Sequence, residues 1–135
     1  MAYTVFMKEE LCRFAVWSNL FYAAPVAVAL YFNLWFVALL ISALFAASGA
    51  YHFSGEKRFV RADLFFAYAV LVLDAILLYL GTFSWLYYLP AALLFLLALY
   101  VRYALERGDR GGTFHGIWHL VAASATVLSI IVYAV

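Results

Sequence analysis

The chain has 135 residues, of which 70% are hydrophobic and 11% are charged, and its formal net charge is +1. This balance is far from that of a soluble domain, and it gives no reason to expect nucleic acid as a partner. One cysteine, Cys12, excludes an intramolecular disulfide and a cysteine-rich zinc motif. We therefore expect a single transmembrane domain over residues 1–135, with no separate soluble domain.

Long stretches without charge divide the chain into candidate membrane spans. No charged residue lies between Arg13 and Glu56, and none follows Arg110. A spanning helix needs roughly 20 apolar residues. With turns near Asn33 and Gly81, the pattern predicts spans at about residues 13–31, 34–53, 62–80, 85–105 and 113–135. The expected fold class is all-α, a polytopic transmembrane helical bundle of about five spans.

The positive charges all fall on one side of this topology. Five spans place the N-terminus and the loops near residues 54–61 and 106–112 on one face, and the C-terminus on the other. Every lysine and arginine belongs to the first face: Lys8, Arg13, Lys57, Arg58, Arg61, Arg102, Arg107 and Arg110. Because cytoplasmic loops carry an excess of positive charge, we expect a multi-pass integral membrane protein with a cytoplasmic N-terminus.

The three histidines of the chain fall at span ends on that same face. His52 closes span two, and His115 and His119 open span five. Residues four apart share a helix face, so His115 and His119 can reach one ion. His52 would complete a three-histidine set, which suits Zn²⁺ with a water in the open fourth position. The sequence therefore predicts a zinc site near the cytoplasmic face.

Two further polar residues are expected beside this site. Asp63 begins span three, and Ser48 lies one turn deeper than His52 on the same helix face. Zinc lowers the pKa of its bound water towards about 7, and Asp63 would take or orient the proton of that water. Ser48 would hydrogen-bond a reacting carbonyl or its oxyanion. Trp118, between the paired histidines, is expected to point away from the metal, towards lipid or a neighbouring helix.

Asp74 lies near the middle of span three and is the only charged residue between Asp63 and Arg102. An intramembrane acid is a functional candidate by default, and Asp74 could line a cavity beneath the metal. The interpretation that we favour is a protonated carboxyl group bonded to a neighbouring helix. Its candidate partners are Asn19, Ser42 and Thr126.

Five of these residues follow a specific order along the chain. Ser-x-x-x-His ends one span, Asp begins the next, and His-x-x-x-His opens the last: Ser48, His52, Asp63, His115 and His119. This order resembles the alkaline ceramidase superfamily, which includes the adiponectin and progestin receptors. The run from Trp17 to Phe21, followed by Pro25, is similar to the first helix of the ceramidases. That superfamily has seven spans, and removing two of them before the last would keep every ligand on the same side.

The resemblance implies a zinc-dependent hydrolase, and we do not carry over ceramide as the substrate. We expect an intramembrane enzyme that acts on a lipid-like amide or ester, with membrane lipids as partners. Association of two copies into a homo-oligomer would supply the cavity walls that two missing spans remove. Two main alternatives stay open, beside a transporter or a partner subunit. One is a non-catalytic receptor or scaffold with a structural zinc site, and the other is a small haem protein with axial histidines from different spans.

Overall fold

The computed structural model describes residues 14–54, 56–81, 85–105 and 113–135. Helices make up 95% of these residues, and no strand occurs among them. The described helices are α1 (Phe14–Tyr31), α2 (Trp35–Ser54), α3 (Lys57–Leu80), α4 (Trp85–Leu105) and α5 (Thr113–Ala134). All five are long and apolar enough to cross a membrane. The predicted helical fold and number of candidate spans are confirmed.

The start of α3 differs from the prediction. The helix begins at Lys57, whereas the apolar pattern predicts a start near residue 62, so Asp63 lies in its second turn. Lysine and arginine are good helix formers, so the charged residues before the apolar pattern belong to the helix as well. Several residues of the sequence predictions lie outside the described ranges: Lys8, Cys12, Arg13, Arg107 and Arg110.

The hairpin between α1 and α2 turns at Asn33, as predicted. Asn33 has a φ of 60°, a left-handed conformation that asparagine tolerates better than most residues. The Leu34 N–H donates to the Ala29 carbonyl at 2.8 Å, and the Asn33 N–H donates to the Leu30 carbonyl at 3.0 Å. These two bonds form a Schellman motif, which satisfies carbonyl groups at the end of α1.

Helix α5 is the most buried of the five and packs against α1, α3 and α4. Small side chains line its buried face, which lets the neighbouring helices approach closely: Ala122, Ala123 and Ala125. Gly81, at the end of α3, also lies against α5, since a Cβ there would be 2.5 Å from Val132 Cγ1. The alternating chain direction brings the end of α2 and the beginnings of α3 and α5 to one end of the bundle.

Two helices depart from α geometry on the side of the bundle where these ends meet. Helix α1 tightens into a 3₁₀ turn at Leu20–Tyr22, shortly before Pro25, whose missing N–H removes a helical hydrogen bond. Helix α4 ends in a π-helical turn at Val101–Leu105. Such turns occur often at functional sites. Tyr22 and Arg102 lie in these two turns, and both line the cavity beside the histidines.

Candidate metal centre

Three histidine side chains from α2 and α5 meet at this end of the bundle. The Nε2 atoms of His52 and His115 lie 3.0 Å apart. The ring centroids of His115 and His119 are 4.6 Å apart, as their spacing of one helical turn requires. One ring nitrogen from each histidine lies within 4.8 Å of the other two. The fold therefore brings together the three imidazoles that the sequence predicts as metal ligands.

Helix α1 closes the site beside His119. His119 is 2% exposed, and its Nδ1 atom lies 3.0 Å from Ser18 Oγ and 3.2 Å from the Ala15 carbonyl oxygen. Gly116 permits this approach, because a Cβ at that position would collide with the ring of Phe14 on α1. The Nδ1 atom of His119 therefore contacts α1. The Nε2 atom lies on the opposite edge of the imidazole and takes no part in these contacts.

A small polar cavity adjoins the histidines, with room for about one water molecule. Its polar lining comes from all five described helices: Tyr22, Ser48, Asp63, Arg102, His115 and His119. Its apolar wall is formed by Leu44, Leu64, Ala67 and Trp118. Four of the five residues that the sequence predicts for the site line this one cavity. The fifth, His52, contacts His115 beside it.

The two predicted catalytic side chains are buried in the cavity wall. Ser48 is 0% exposed, and its hydroxyl makes no hydrogen bond to any residue of the described ranges. Asp63 is 7% exposed. Buried polar groups in proteins nearly always have a hydrogen-bond partner, and an unpaired one requires an explanation. The Ser48 hydroxyl is therefore available to a ligand that enters the cavity.

The donor set of the cluster fits zinc. Tetrahedral zinc with nitrogen ligands at about 2.0–2.1 Å places those nitrogens about 3.3 Å apart. The separation between the Nε2 atoms of His52 and His115 is close to this value, and one ring nitrogen of each histidine lies within 4.8 Å of the other two. Histidines that bind zinc almost always donate their second ring N–H to a carbonyl or carboxylate group. The Ala15 carbonyl lies in that position for His119.

Trp118 contradicts the expectation that it points away from the site. It is 4% exposed and lines the cavity. The reason is the central position of α5: none of residues 113–123 is exposed, and Trp118 is among the residues of this half of the helix that are buried against its neighbours. Periodicity along a single helix cannot reveal how many neighbours surround it.

Three residues of the site are absent from the sequence prediction. Ser18 and Tyr22 come from α1, and Arg102 comes from the end of α4. For Arg102 a signal exists in the sequence, because it is a charged residue inside a predicted span rather than in a loop. For Ser18 the signal is weaker, since Ser18 and Asn19 are only a short pair of uncharged polar residues in an apolar helix.

The predicted hydrogen bond between Asp74 and a neighbouring helix is confirmed, and its partner, Thr126, is one of the three candidates. The Thr126 hydroxyl donates to Asp74 Oδ2 at 2.8 Å, and the Asp74 side chain is 1% exposed. The bond joins α3 to α5 in the interior of the bundle. Asp74 is not among the residues that line the cavity beside the histidines. It therefore belongs to the packing between helices rather than to the candidate site.

No known protein family, curated protein or solved structure matches this chain. The described residues of the chain form a partly buried cluster of three histidines beside a polar cavity. Three imidazoles with an open side are the ligand arrangement of catalytic zinc sites, whereas structural sites have four protein ligands.

Proposed function

We propose that this chain is a multi-pass membrane protein with a cytoplasmic N-terminus that binds Zn²⁺ and hydrolyses a lipid-like amide or ester. His52, His115 and His119 would hold the metal near the cytoplasmic face. Five apolar helices and the one-sided lysine and arginine distribution support the membrane topology. The observation that carries the proposal is the convergence of these histidines beside a cavity that contains Asp63 and Ser48.

Zinc in such a site lowers the pKa of water and polarises a substrate carbonyl group. Asp63, in the cavity wall, would accept a proton from the attacking water and return it to the leaving group. The water oxygen bonds to the carbonyl carbon, and the carbon–nitrogen or carbon–oxygen bond breaks. The products are a carboxylic acid and an amine or an alcohol. The Ser48 hydroxyl would donate a hydrogen bond to the carbonyl oxygen as negative charge develops there.

A lipid-like substrate suits the position of the cavity. The cavity lies among helices whose outer faces are apolar, and its own wall includes Leu44, Leu64 and Trp118. The cavity has room for only about one water molecule, so the acyl chain of the substrate would stay among the helices or in the bilayer. The residue order shared with the alkaline ceramidase superfamily supports the same class of substrate.

The second candidate is a non-catalytic receptor or scaffold with a structural zinc ion. The small volume of the cavity favours it, because a site that admits about one water molecule leaves little room for a substrate. Haem is a poorer fit to the geometry. The rings of His52 and His115 have centroids 4.9 Å apart and contact each other through their nitrogens, which leaves no space for a porphyrin between them.

Metal analysis of the purified protein tests the first half of the proposal. We expect about one zinc per chain in the wild type and a large loss in His52→Ala and in His119→Ala. Thr126→Val, a substitution in the same helix as His119 but away from the cavity, serves as a control and should retain zinc. Less than about 0.3 zinc per chain, unchanged by the histidine substitutions, would contradict the metal site.

A screen of fluorogenic lipid amides and esters in detergent or nanodiscs tests the second half. We expect zinc-dependent hydrolysis by the wild type and a rate loss of about 10²–10⁴-fold in Asp63→Asn, with zinc retained. Asp74→Asn is the matched control, because the same carboxylate-to-amide change lies in the same helix outside the cavity. A zinc-loaded wild type that hydrolyses none of these compounds would support the structural zinc protein instead.

A further inference from the structure

A triangle of three polar atoms joins α1 to α5 behind the histidine cluster. Ser18 Oγ lies 3.0 Å from the Ala15 carbonyl oxygen and 3.0 Å from His119 Nδ1. His119 Nδ1 lies 3.2 Å from the same carbonyl oxygen. All three residues are buried, with exposures of 2% for Ser18, 4% for Ala15 and 2% for His119. Water therefore does not compete for these contacts.

The number of hydrogens available in this triangle determines whether Nδ1 of His119 is protonated. The carbonyl oxygen only accepts, and the Ser18 hydroxyl has one hydrogen to donate. If Nδ1 carried no hydrogen, its lone pair would face the carbonyl oxygen of Ala15, and one hydrogen would have to serve two acceptors. With a hydrogen on Nδ1, the ring donates towards Ser18 Oγ and the carbonyl oxygen, while Ser18 donates to the carbonyl. Every contact in the triangle is then satisfied.

We propose that Ser18, with the Ala15 carbonyl, is a positioning element that holds His119 as the Nδ1–H tautomer. In that tautomer the lone pair is on Nε2, on the ring edge away from α1, so metal binding requires no change of tautomer. Second ring N–H bonds of this kind orient metal-bound histidines and raise their basicity. The inference rests on the zinc-binding part of the proposed function and is independent of hydrolysis. Helix α1 thereby belongs to the site without providing a ligand.

The tautomer of the metal-free wild type is the direct test. Protein labelled with ¹⁵N at its histidines has only three imidazoles, and the ring-nitrogen shifts distinguish Nδ1–H from Nε2–H. The spectrum is recorded in lipid bilayers, at a pH above the usual histidine range, and the His119 signals are identified by their loss in His119→Gln. We expect Nδ1 to be protonated. Protonation at Nε2 would overturn the proposal.

Zinc affinity, measured by competition with a chelator, tests the role of Ser18. We expect Ser18→Ala to bind zinc about tenfold more weakly than the wild type, and Ser18→Thr, which keeps the hydroxyl, to recover most of the loss. Ser129→Ala is the matched control, because Ser129 is also buried and bonds a carbonyl of its own helix at 2.9 Å. Equal zinc affinity in Ser18→Ala and the wild type, with helical circular dichroism retained, would overturn the positioning role.

A spectroscopic measurement separates positioning from general stability. Cobalt(II) replaces zinc in such sites, and its visible absorption reports ligand geometry. We expect the cobalt spectrum to change in Ser18→Ala and to stay the same in Ser129→Ala. A protein with the expected tautomer and Ser18 effect that hydrolyses no lipid would refute the hydrolase and leave this inference intact. Lipid hydrolysis by the wild type, together with a zinc affinity that does not change in Ser18→Ala, would support the hydrolase and refute this inference.

Discussion

His52 and His115 face each other through their Nε2 atoms at 3.0 Å, although one lies near the end of α2 and the other near the beginning of α5. Two nitrogen lone pairs at this distance repel each other unless a hydrogen or a cation lies between them. A hydrogen or a cation in that position joins α2 to α5. A metal ion does so more strongly, because the free energy of binding to the folded state adds to the free energy of unfolding.

Removing zinc should therefore destabilise the bundle. A ligand at a hundredfold its dissociation constant stabilises the folded state by about 2.7 kcal/mol, so we expect EDTA to lower the melting temperature of the wild type by several degrees. His115→Ala, which lacks one ligand, should melt near the chelated wild type and should not respond to EDTA. Thermal unfolding followed by tryptophan fluorescence in detergent gives both values. An equal response to EDTA in the two proteins would contradict zinc bridging.

Replacement of Ser48 should slow the reaction without removing the metal. The buried hydroxyl is a hydrogen-bond donor in the cavity wall, and the loss of one oxyanion donor typically costs about 10²–10³-fold in kcat. We expect Ser48→Ala to show this loss with full zinc content and a KM close to that of the wild type. Ser42→Ala, the same change in the same helix outside the cavity lining, is the control. A loss of zinc in Ser48→Ala would show that the serine acts through the metal site instead.

The orientation in the membrane can be measured with single cysteines. In a Cys12→Ser background, Val135→Cys places a thiol at the C-terminus, and Glu56→Cys places one between α2 and α3, where Glu56 is exposed. The charge distribution predicts that an impermeant thiol reagent labels Val135→Cys in intact cells. Glu56→Cys should be labelled only after the cells are permeabilised. The opposite pattern would place the histidine cluster on the exterior side.

The bond between Asp74 and Thr126 should contribute to stability and not to metal binding. Both residues are buried, and the bond is 2.8 Å long. Interhelical hydrogen bonds in membranes contribute about 0.6–1.7 kcal/mol in double-mutant cycles, and we expect a coupling within this range. The cycle compares Asp74→Leu, Thr126→Val and the double variant by their free energies of unfolding, with zinc content measured in each. A coupling near zero would mean that the contact does not stabilise the bundle.

Much of the candidate site could be predicted from the sequence because its histidines lie at the ends of apolar segments. The rarity of histidine and the distribution of charge placed His52, His115 and His119 at one end of the bundle, where the structure has them. Asn33 marked a hairpin because its side chain tolerates a left-handed backbone. The prediction for Trp118 was wrong because it considered one helix alone, and burial depends on all the helices around it.

The sequence by itself determined the class of fold, the number of apolar helices and the end of the bundle at which the histidines lie. Hydrophobicity and charge are properties of local segments, so they can be read without knowing which helices touch. Only the tertiary structure decided which side chains share the cavity. Ser18 and His119 are 101 positions apart, and their contact depends on the rotation of α1 against α5. That rotation is governed by steric fit between distant residues, such as Phe14 against the bare backbone of Gly116.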